Sequence, residues 1–248
     1  MLVKNWMVST AISVAPIDTL ETALQVLDDL SFHRLPVVSE CRIEGAITRS
    51  DIEREALKRC SRLNGAEFDR FVQNRRVCDL MSPETVIVSL DHTIEETAAL
   101  FVRHHIHEAP VTDLHGCLAG IITRGDLLRA LVSVTGARTG GILFAFLTPD
   151  RRDMVNEVAD IIRNFGGRIS SIFTTDTDAP QNMHKIYIRV TGIDRFRLNP
   201  LSQKLEEKVT LIYRIDRPEV RKDFGSGLQS SDQDREPANE KNGAYMNM

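Results

Sequence analysis

The sequence predicts an α/β protein of the α+β type, in which a duplicated strand–helix unit is followed by a separate strand–helix module. Three observations carry this. Residues 1–135 contain an internal repeat. Residues 140–216 read strand, helix, strand, strand, helix, strand. The composition, 42% hydrophobic and 27% charged over 248 residues, is enough to fill more than one core.

The repeat is visible by offset. At an offset of 74, Met81 falls on Met7, Val88 on Val14, Thr93 on Thr19, Glu95 on Glu21, and Pro110-Val111 on Pro36-Val37. After one inserted residue, Gly120 falls on Gly45, Ile122 on Ile47, Thr123-Arg124 on Thr48-Arg49 and Asp126 on Asp51. So many matches in order, with one register shift, mark a duplication with boundaries expected at 1–62 and 63–135.

Each unit reads as βαββα. Residues 11–14 and 85–88 are β-branched runs that suit strands. Helices follow from near Thr19 and Thr93; Asp18 with Glu21, and Thr93 with Glu96, have capping-box spacing. Leu20, Ala23, Leu24 and Leu27 then share one helical face. Strands at 35–38 and 109–112 lead through turns, the second marked by His115-Gly116, to strands at 45–48 and 120–123. A helix opens at Asp51 in the first unit and at Asp126 in the second. One unit cannot cover its own apolar sheet, so two are expected to pack together.

The segments Gly45-Ala-Ile-Thr-Arg-Ser-Asp51 and Gly120-Ile-Ile-Thr-Arg-Gly-Asp126 resemble the closing signature of CBS domains, as does Phe32-His-Arg-Leu-Pro-Val-Val38. A tandem CBS pair (a Bateman module) over roughly residues 1–135 is what the resemblance implies. It also implies an adenosine-containing ligand between the repeats: AMP, ADP, ATP, S-adenosylmethionine or a cyclic dinucleotide. In the first repeat, Ser39-Glu40-Cys41-Arg42 stands where the family has an Asp-Gly type of turn.

The chemistry at those positions suits a nucleotide. Thr48 and Asp51, and Thr123 and Asp126, lie three apart at a strand-to-helix turn. A carboxylate there can accept hydrogen bonds from ribose hydroxyls, and the threonine hydroxyl can face sugar or phosphate. The alternative reading is that both aspartates only cap helices, which the duplication and the CBS-like surroundings outweigh. Arg34, in a His33-Arg34 pair, resembles the phosphate contacts of the AMP-activated kinase gamma subunits. Its repeat mate is Glu108, which repels phosphate, so unequal sites are expected. The better would join Thr123 and Asp126 with His33, Arg34 and the strand around Ile12 and Ser13. The weaker would join Thr48 and Asp51 with Glu108 and the strand around Val86 and Ile87. Arg49 and Arg124 are further phosphate candidates.

Other chemistries find no support. There is no Walker glycine loop and no Gly-x-Ser-x-Gly. His104 and His105 end a helix and His107 enters a strand, so their rings should diverge, and no metal site is predicted from them or from His92 and His115. Net charge is −4, which offers no general basic surface to nucleic acid. The longest apolar run, residues 142–147, is far short of a bilayer span, and residues 1–7 have no apolar core of a signal peptide. The expectation is a cytoplasmic protein without membrane association. Its four cysteines, Cys41, Cys60, Cys78 and Cys117, form no CxxC pair and are read as unpaired thiols.

Beyond a linker at 136–140, the βαββαβ order resembles the ACT domain, a ferredoxin-like module that often pairs sheets between subunits. The combination resembles the CBS–ACT proteins associated with acetoin utilisation. Asn199-Pro200 is read as a helix start. The loop Thr148-Pro149-Asp150-Arg151-Arg152-Asp153 lacks the glycine that amino-acid-binding ACT domains keep, which favours an oligomerisation role. Polar residues from 217 on are expected to form a disordered tail. The expected function is non-catalytic: an adenosyl-ligand sensor acting through a homodimer or higher oligomer on a regulated protein. An amino-acid sensor and a scaffold with an empty cleft are the alternatives.

Overall fold

A computed structural model describes residues 1–30, 32–63 and 65–217. The expected tail lies outside the described residues. The first repeat holds α1 (Leu20–Leu30), the hairpin β1 (Arg34–Ser39) and β2 (Arg42–Thr48), and α2 (Arg49–Arg59). An additional helix, α3 (Ala66–Asn74), follows and packs against the first repeat. That repeat holds β3 (Val88–Ser89), α4 (Ile94–His104), the hairpin β4 (Glu108–Thr112) and β5 (Leu118–Thr123), and α5 (Arg124–Val134).

Three local expectations are corrected. The leading strands shrink: Val14 makes one parallel bridge to Val37, and β3 has two residues on β4. At α1 the capping hydroxyl is Thr19, whose Oγ1 accepts the Thr22 N–H at 3.2 Å, while Asp18 turns back to accept from Ala15 N at 2.7 Å. Both closing helices open two residues earlier than expected, at Arg49 and Arg124, which places Asp51 and Asp126 at their third positions. The Thr93/Glu96 capping box is present as read.

The cores cross the expected boundary at 62/63. Val3 is buried with Val88, Ile94, Phe101, Val111 and Ile122, with Trp6 and Met7 packed alongside. Reciprocally, Val72 and Val77 are buried with Leu20, Leu27, Leu35 and Ile47 of the first repeat. Backbone pairing explains this exchange. Val8 and Ile121 bond each other both ways, at 2.9 and 3.0 Å, and their repeat mates Ser82 and Ala46 do the same at 2.8 and 2.9 Å. Leu2 bridges Thr93, as Arg76 bridges Thr19. Each repeat thus lends its leading segment to the other about a pseudo-twofold axis.

The two hairpin turns meet near that axis. Cys41 and Cys117, 76 residues apart, are joined by a disulfide with a Cα–Cα distance of 4.8 Å, which corrects the reading of four unpaired thiols. Distance in sequence hides a pair that only the duplication brings together. Cys60 and Cys78 are free.

The third unit begins after a short 3-10 turn at Ala137–Thr139. It comprises β6 (Gly141–Pro149), α6 (Met154–Asn164), β7 (Arg168–Thr175), β8 (Met183–Thr191), α7 (Leu198–Glu206) and β9 (Thr210–Arg217). The sheet order β7-β8-β6-β9, antiparallel throughout, is the ferredoxin-like arrangement. Alternate residues Ile142, Phe144 and Phe146 of β6 and Ile186, Ile188 and Val190 of β8 bury one face under Met154, Val158 and Ile162 of α6 and Leu201 and Leu205 of α7. Asn199-Pro200 falls inside the first turn of α7, not at its cap. A 3-10 turn capped by Asp194, which accepts from Phe196 N at 3.0 Å, starts that helix earlier. No helix among the described residues is long and apolar enough to cross a membrane.

The exchange of leading segments rests on two glycines. A Cβ at Gly120 would stand 2.2 Å from the Val8 carbonyl oxygen, and one at Gly45 would stand 2.4 Å from that of Ser82. Gly120→Ala therefore pushes the N-terminal segment off β5, and a loss of about 1–3 kcal/mol is expected in urea unfolding. Gly125→Ala is the control: its nearest neighbour, Thr123 Oγ1 at 3.5 Å, leaves room, and alanine favours the helix.

Candidate functional site

Thr48 and Thr123 end β2 and β5 in extended conformation and cap α2 and α5. In the second repeat, Thr123 N–H and Oγ1–H both donate to Asp126 Oδ2 at 2.7 Å, while Asp126 N–H returns to Thr123 Oγ1 at 3.3 Å. In the first repeat Thr48 donates to Asp51 Oδ2 from its N–H at 3.1 Å and its hydroxyl at 2.6 Å. Both aspartates are thus complete capping-box partners. The other oxygen of each carboxylate pairs with an arginine one turn on, Arg54 for Asp51 and Arg129 for Asp126. Asp126 is 1% exposed, and the Arg129 side chain that covers it is 54% exposed. An exposed guanidinium held by one ion pair is cheap to displace. The capped carboxylate is therefore fixed in place, and one of its oxygens can be handed to a ligand hydroxyl.

The two hairpins meet at the axis. Arg34 N–H donates to Glu108 Oε1, although these residues are 74 apart, and the His33 and His107 rings stand edge to face at 6.0 Å. Pairing within the hairpins sets Arg34 opposite Thr48 and Glu108 opposite Thr123. Glu108 is thus beside the Thr123–Asp126 pair while touching the backbone of Arg34. It is 7% exposed. Burial pushes its carboxyl above the ordinary 4.5, and hydrogen bonds from the backbones of Arg34 and His33 only partly oppose this.

The remaining expected residues are less uniform. Arg49 is held by Asp28 and Glu53, whereas among the described residues Arg124 bonds to backbone carbonyls, its Nε donating to Ile106 O at 3.0 Å. Ile12 packs on the first core, Ser13 and Val86 are half-buried, and Ile87 is exposed. Thr85, beside Val86, was not singled out by sequence. Its Oγ1 is buried without a hydrogen-bond partner. Its repeat mate is Ala11, so no duplicated signal marked it. Among the described residues no group of three or more His, Cys, Asp or Glu side chains is placed to hold a metal ion. His105 takes the left-handed conformation that ends α4, with its N–H on Phe101 O and Val102 O.

The Glu108 carboxyl gives a pH test. With its folded pKa raised, its contribution to stability is fully present below about 4.5 and is lost as pH rises through the folded value. Glu108→Gln keeps an acceptor for the Arg34 N–H and removes the charge. Thermal melts are expected to show variant and parent together in acid, with the variant melting a few degrees higher at pH 8. A constant difference across that range would contradict the burial effect.

Comparison with known proteins bears on this geometry. The CBS domain family matches residues 3–58 and 77–133. An uncharacterised protein of Methanocaldococcus jannaschii is 42% identical over 57 residues, 23% of this chain and 34% of that protein, so the match spans about a third of that relative's length. A CBS domain-containing protein of Dictyostelium discoideum is 30% identical over 135 residues, covering 54% of this chain and 93% of that one. A crystal structure of CBSX2 in complex with AMP is similar at 25% identity and TM-score 0.43, covering 53% of this chain and 96% of that chain. The chain belongs to the CBS-domain proteins, with its paired CBS domains in the first 133 residues.

Proposed function

We propose that the CBS pair is a non-catalytic sensor that binds an adenine nucleotide or a related adenosyl ligand between its repeats. One observation carries the reading: a rigidly capped Thr–Asp pair is built twice, each with a displaceable arginine over the carboxylate, on either side of the Arg34–Glu108 contact. Asp126 would take the ribose hydroxyls as Arg129 swings away. The Arg34 side chain would meet phosphate, with Arg124 in reserve because no carboxylate among the described residues holds it. Ile12 and Ser13 would wall the adenine. On the other side Thr48, Asp51, Val86 and Ile87 would form the weaker site, where Glu108 opposes phosphate and the unpartnered Thr85 hydroxyl is available to the base.

The ferredoxin-like unit, read as ACT-like and as resembling acetoin-utilisation CBS–ACT proteins, would relay occupancy to a regulated protein as a homodimer or higher oligomer. Two features support the relay. Helix α5 carries Asp126 in its first turn and ends beside Thr135, whose carbonyl accepts from Ser171 Oγ at 3.0 Å and Arg189 Nε at 2.8 Å. The edge strand β9 leaves Ile212, Tyr213 and Ile215 exposed, as a surface for a second copy would require. A coupling of about 1–3 kcal/mol is enough for such a sensor.

Calorimetric titration of nucleotide-free protein with AMP, ATP and S-adenosylmethionine tests this. Saturable binding is expected, weakened about tenfold or more by Asp126→Asn, on the scale of a lost hydrogen bond to a charged group. Arg34→Ala keeps the backbone contact to Glu108 and is expected to weaken AMP and ATP while sparing S-adenosylmethionine, which has no phosphate. If none of the three binds, the pair is a scaffold.

A further inference from the structure

Cys41 lies in the turn between β1 and β2, and Cys117 in the turn between β4 and β5. Their Cα atoms are 4.8 Å apart, within the span a disulfide bridges without moving backbone. The turns are docked by more than the bond. Leu118 N–H donates to Cys41 O at 3.0 Å, and Arg42 bridges Cys117. Asp113 Oδ1 accepts from the N–H groups of His115 and Cys117 at 2.8 and 2.9 Å, which shapes the second turn. In the first turn Glu40 and Cys41 hold φ of 58° and 151°, a backbone that side chains rarely adopt. That conformation brings Cys41 to the axis. Cys41 is exposed and Cys117 half-buried, so a small reagent reaches the pair.

The geometry points to a reversible thiol–disulfide modification site at Cys41 and Cys117 that locks the two CBS repeats to each other. The reaction partner is a low-molecular-weight disulfide. A protein thiolate attacks it, breaking its S–S bond and releasing one thiol; the second protein thiolate then displaces the other, forming the Cys41–Cys117 bond. Two electrons pass from the protein sulfurs to the small disulfide, and the two thiol protons end on the two released thiols. Accessibility is what makes the bond reversible, since exposed disulfides are the labile ones.

Placement gives the lock its effect. Strand β1 runs from Arg34, in contact with Glu108, to the turn at Cys41; β4 runs from Glu108 to the turn before Cys117. The bond therefore ties the far ends of the same two hairpins whose near ends meet beside the capped aspartates. Oxidised, the hairpins cannot slide or rotate past one another. Reduced, they are held by non-covalent contacts, among them the Glu108–Arg34 hydrogen bond and the His33–His107 ring contact. This inference does not depend on a nucleotide being the ligand.

The test exposes the full chain to defined ratios of glutathione disulfide to glutathione, followed by acid quench and alkylation. Four alkylated cysteines are expected at the reducing end. At the oxidising end two remain, Cys60 and Cys78, with the mass of two hydrogens lost and a single Cys41–Cys117 linked peptide. Cys41→Ser or Cys117→Ser abolishes the change; Cys60→Ser and Cys78→Ser leave it. The oxidised form is expected to melt on the order of 10 °C higher, because the bond closes a long loop. Amide exchange should slow in β1 and β4. Four reactive cysteines at every ratio would overturn the proposal, as would a link involving Cys60, Cys78 or a second chain. A bond that changes neither melting nor exchange would remove the lock.

Discussion

The reciprocal backbone pairing of Val8 with Ile121 and of Ser82 with Ala46 is the constraint on which the CBS pair depends. Neither repeat owns a complete core. Val3 completes the second and Val77 the first, so folding either requires the other. Removing the side chain at Gly45 and Gly120 is what lets a backbone run against each closing strand. Once the segments are exchanged, the two hairpins are fixed about one axis. The Arg34–Glu108 contact is then a residue meeting its repeat mate, and the Cys41–Cys117 bond joins the turns at the other ends of the same hairpins.

The duplication was legible because it is written in side chains. Thr48/Thr123, Asp51/Asp126 and Gly45/Gly120 all stand in register, and the elements they end form where the pattern places them. The βαββαβ order was legible for a similar reason, since alternation in β6 and β8 and the apolar stripe of α6 are local signals. The exchange was not, because it is made by backbone groups far apart in sequence, and any residue with an N–H and a C=O can supply them. The glycines flagged a close approach without saying to what. The cysteines show the same limit: no repeat offset aligns them, and only a geometry that brings the two hairpin turns together makes them neighbours.

At the site Asp51 and Asp126 are capping-box partners, and this is compatible with the proposed ligand role. Capping and ligand binding compete only if they need the same oxygen. Here Oδ2 takes the cap, and Oδ1 holds an arginine from the next turn. Capping therefore pre-orders the carboxylate that a ribose would use, which lowers the ordering cost of binding. The asymmetry between repeats then falls to residue 34 and its mate. Arg34 keeps a long cationic side chain beyond its own backbone contact. Glu108 spends its carboxylate on that contact and is buried there. Charge at the axis is thus a property of one repeat, not of the symmetric pair.

The same economy of parts explains how the third unit could feel the first two. A helix is a stiff connector, and α5 has a capped aspartate at one end and a neighbouring domain at the other. Its eleven residues span roughly 16 Å at the usual rise. In the proposed sensor, a displacement of α5 on ligand binding would not be absorbed within such a short rod and would reach Thr135. There the carbonyl is held by two side chains, Ser171 from β7 and Arg189 from β8, strands that pair with each other. Arg189 also reaches Gly140 O, on the far side of the short turn at Ala137–Thr139. The connection between domains is therefore clamped rather than hinged. In the proposed relay, motion entering α5 would reach the sheet through β7 and β8, with β9 at the opposite edge of the sheet among the described residues.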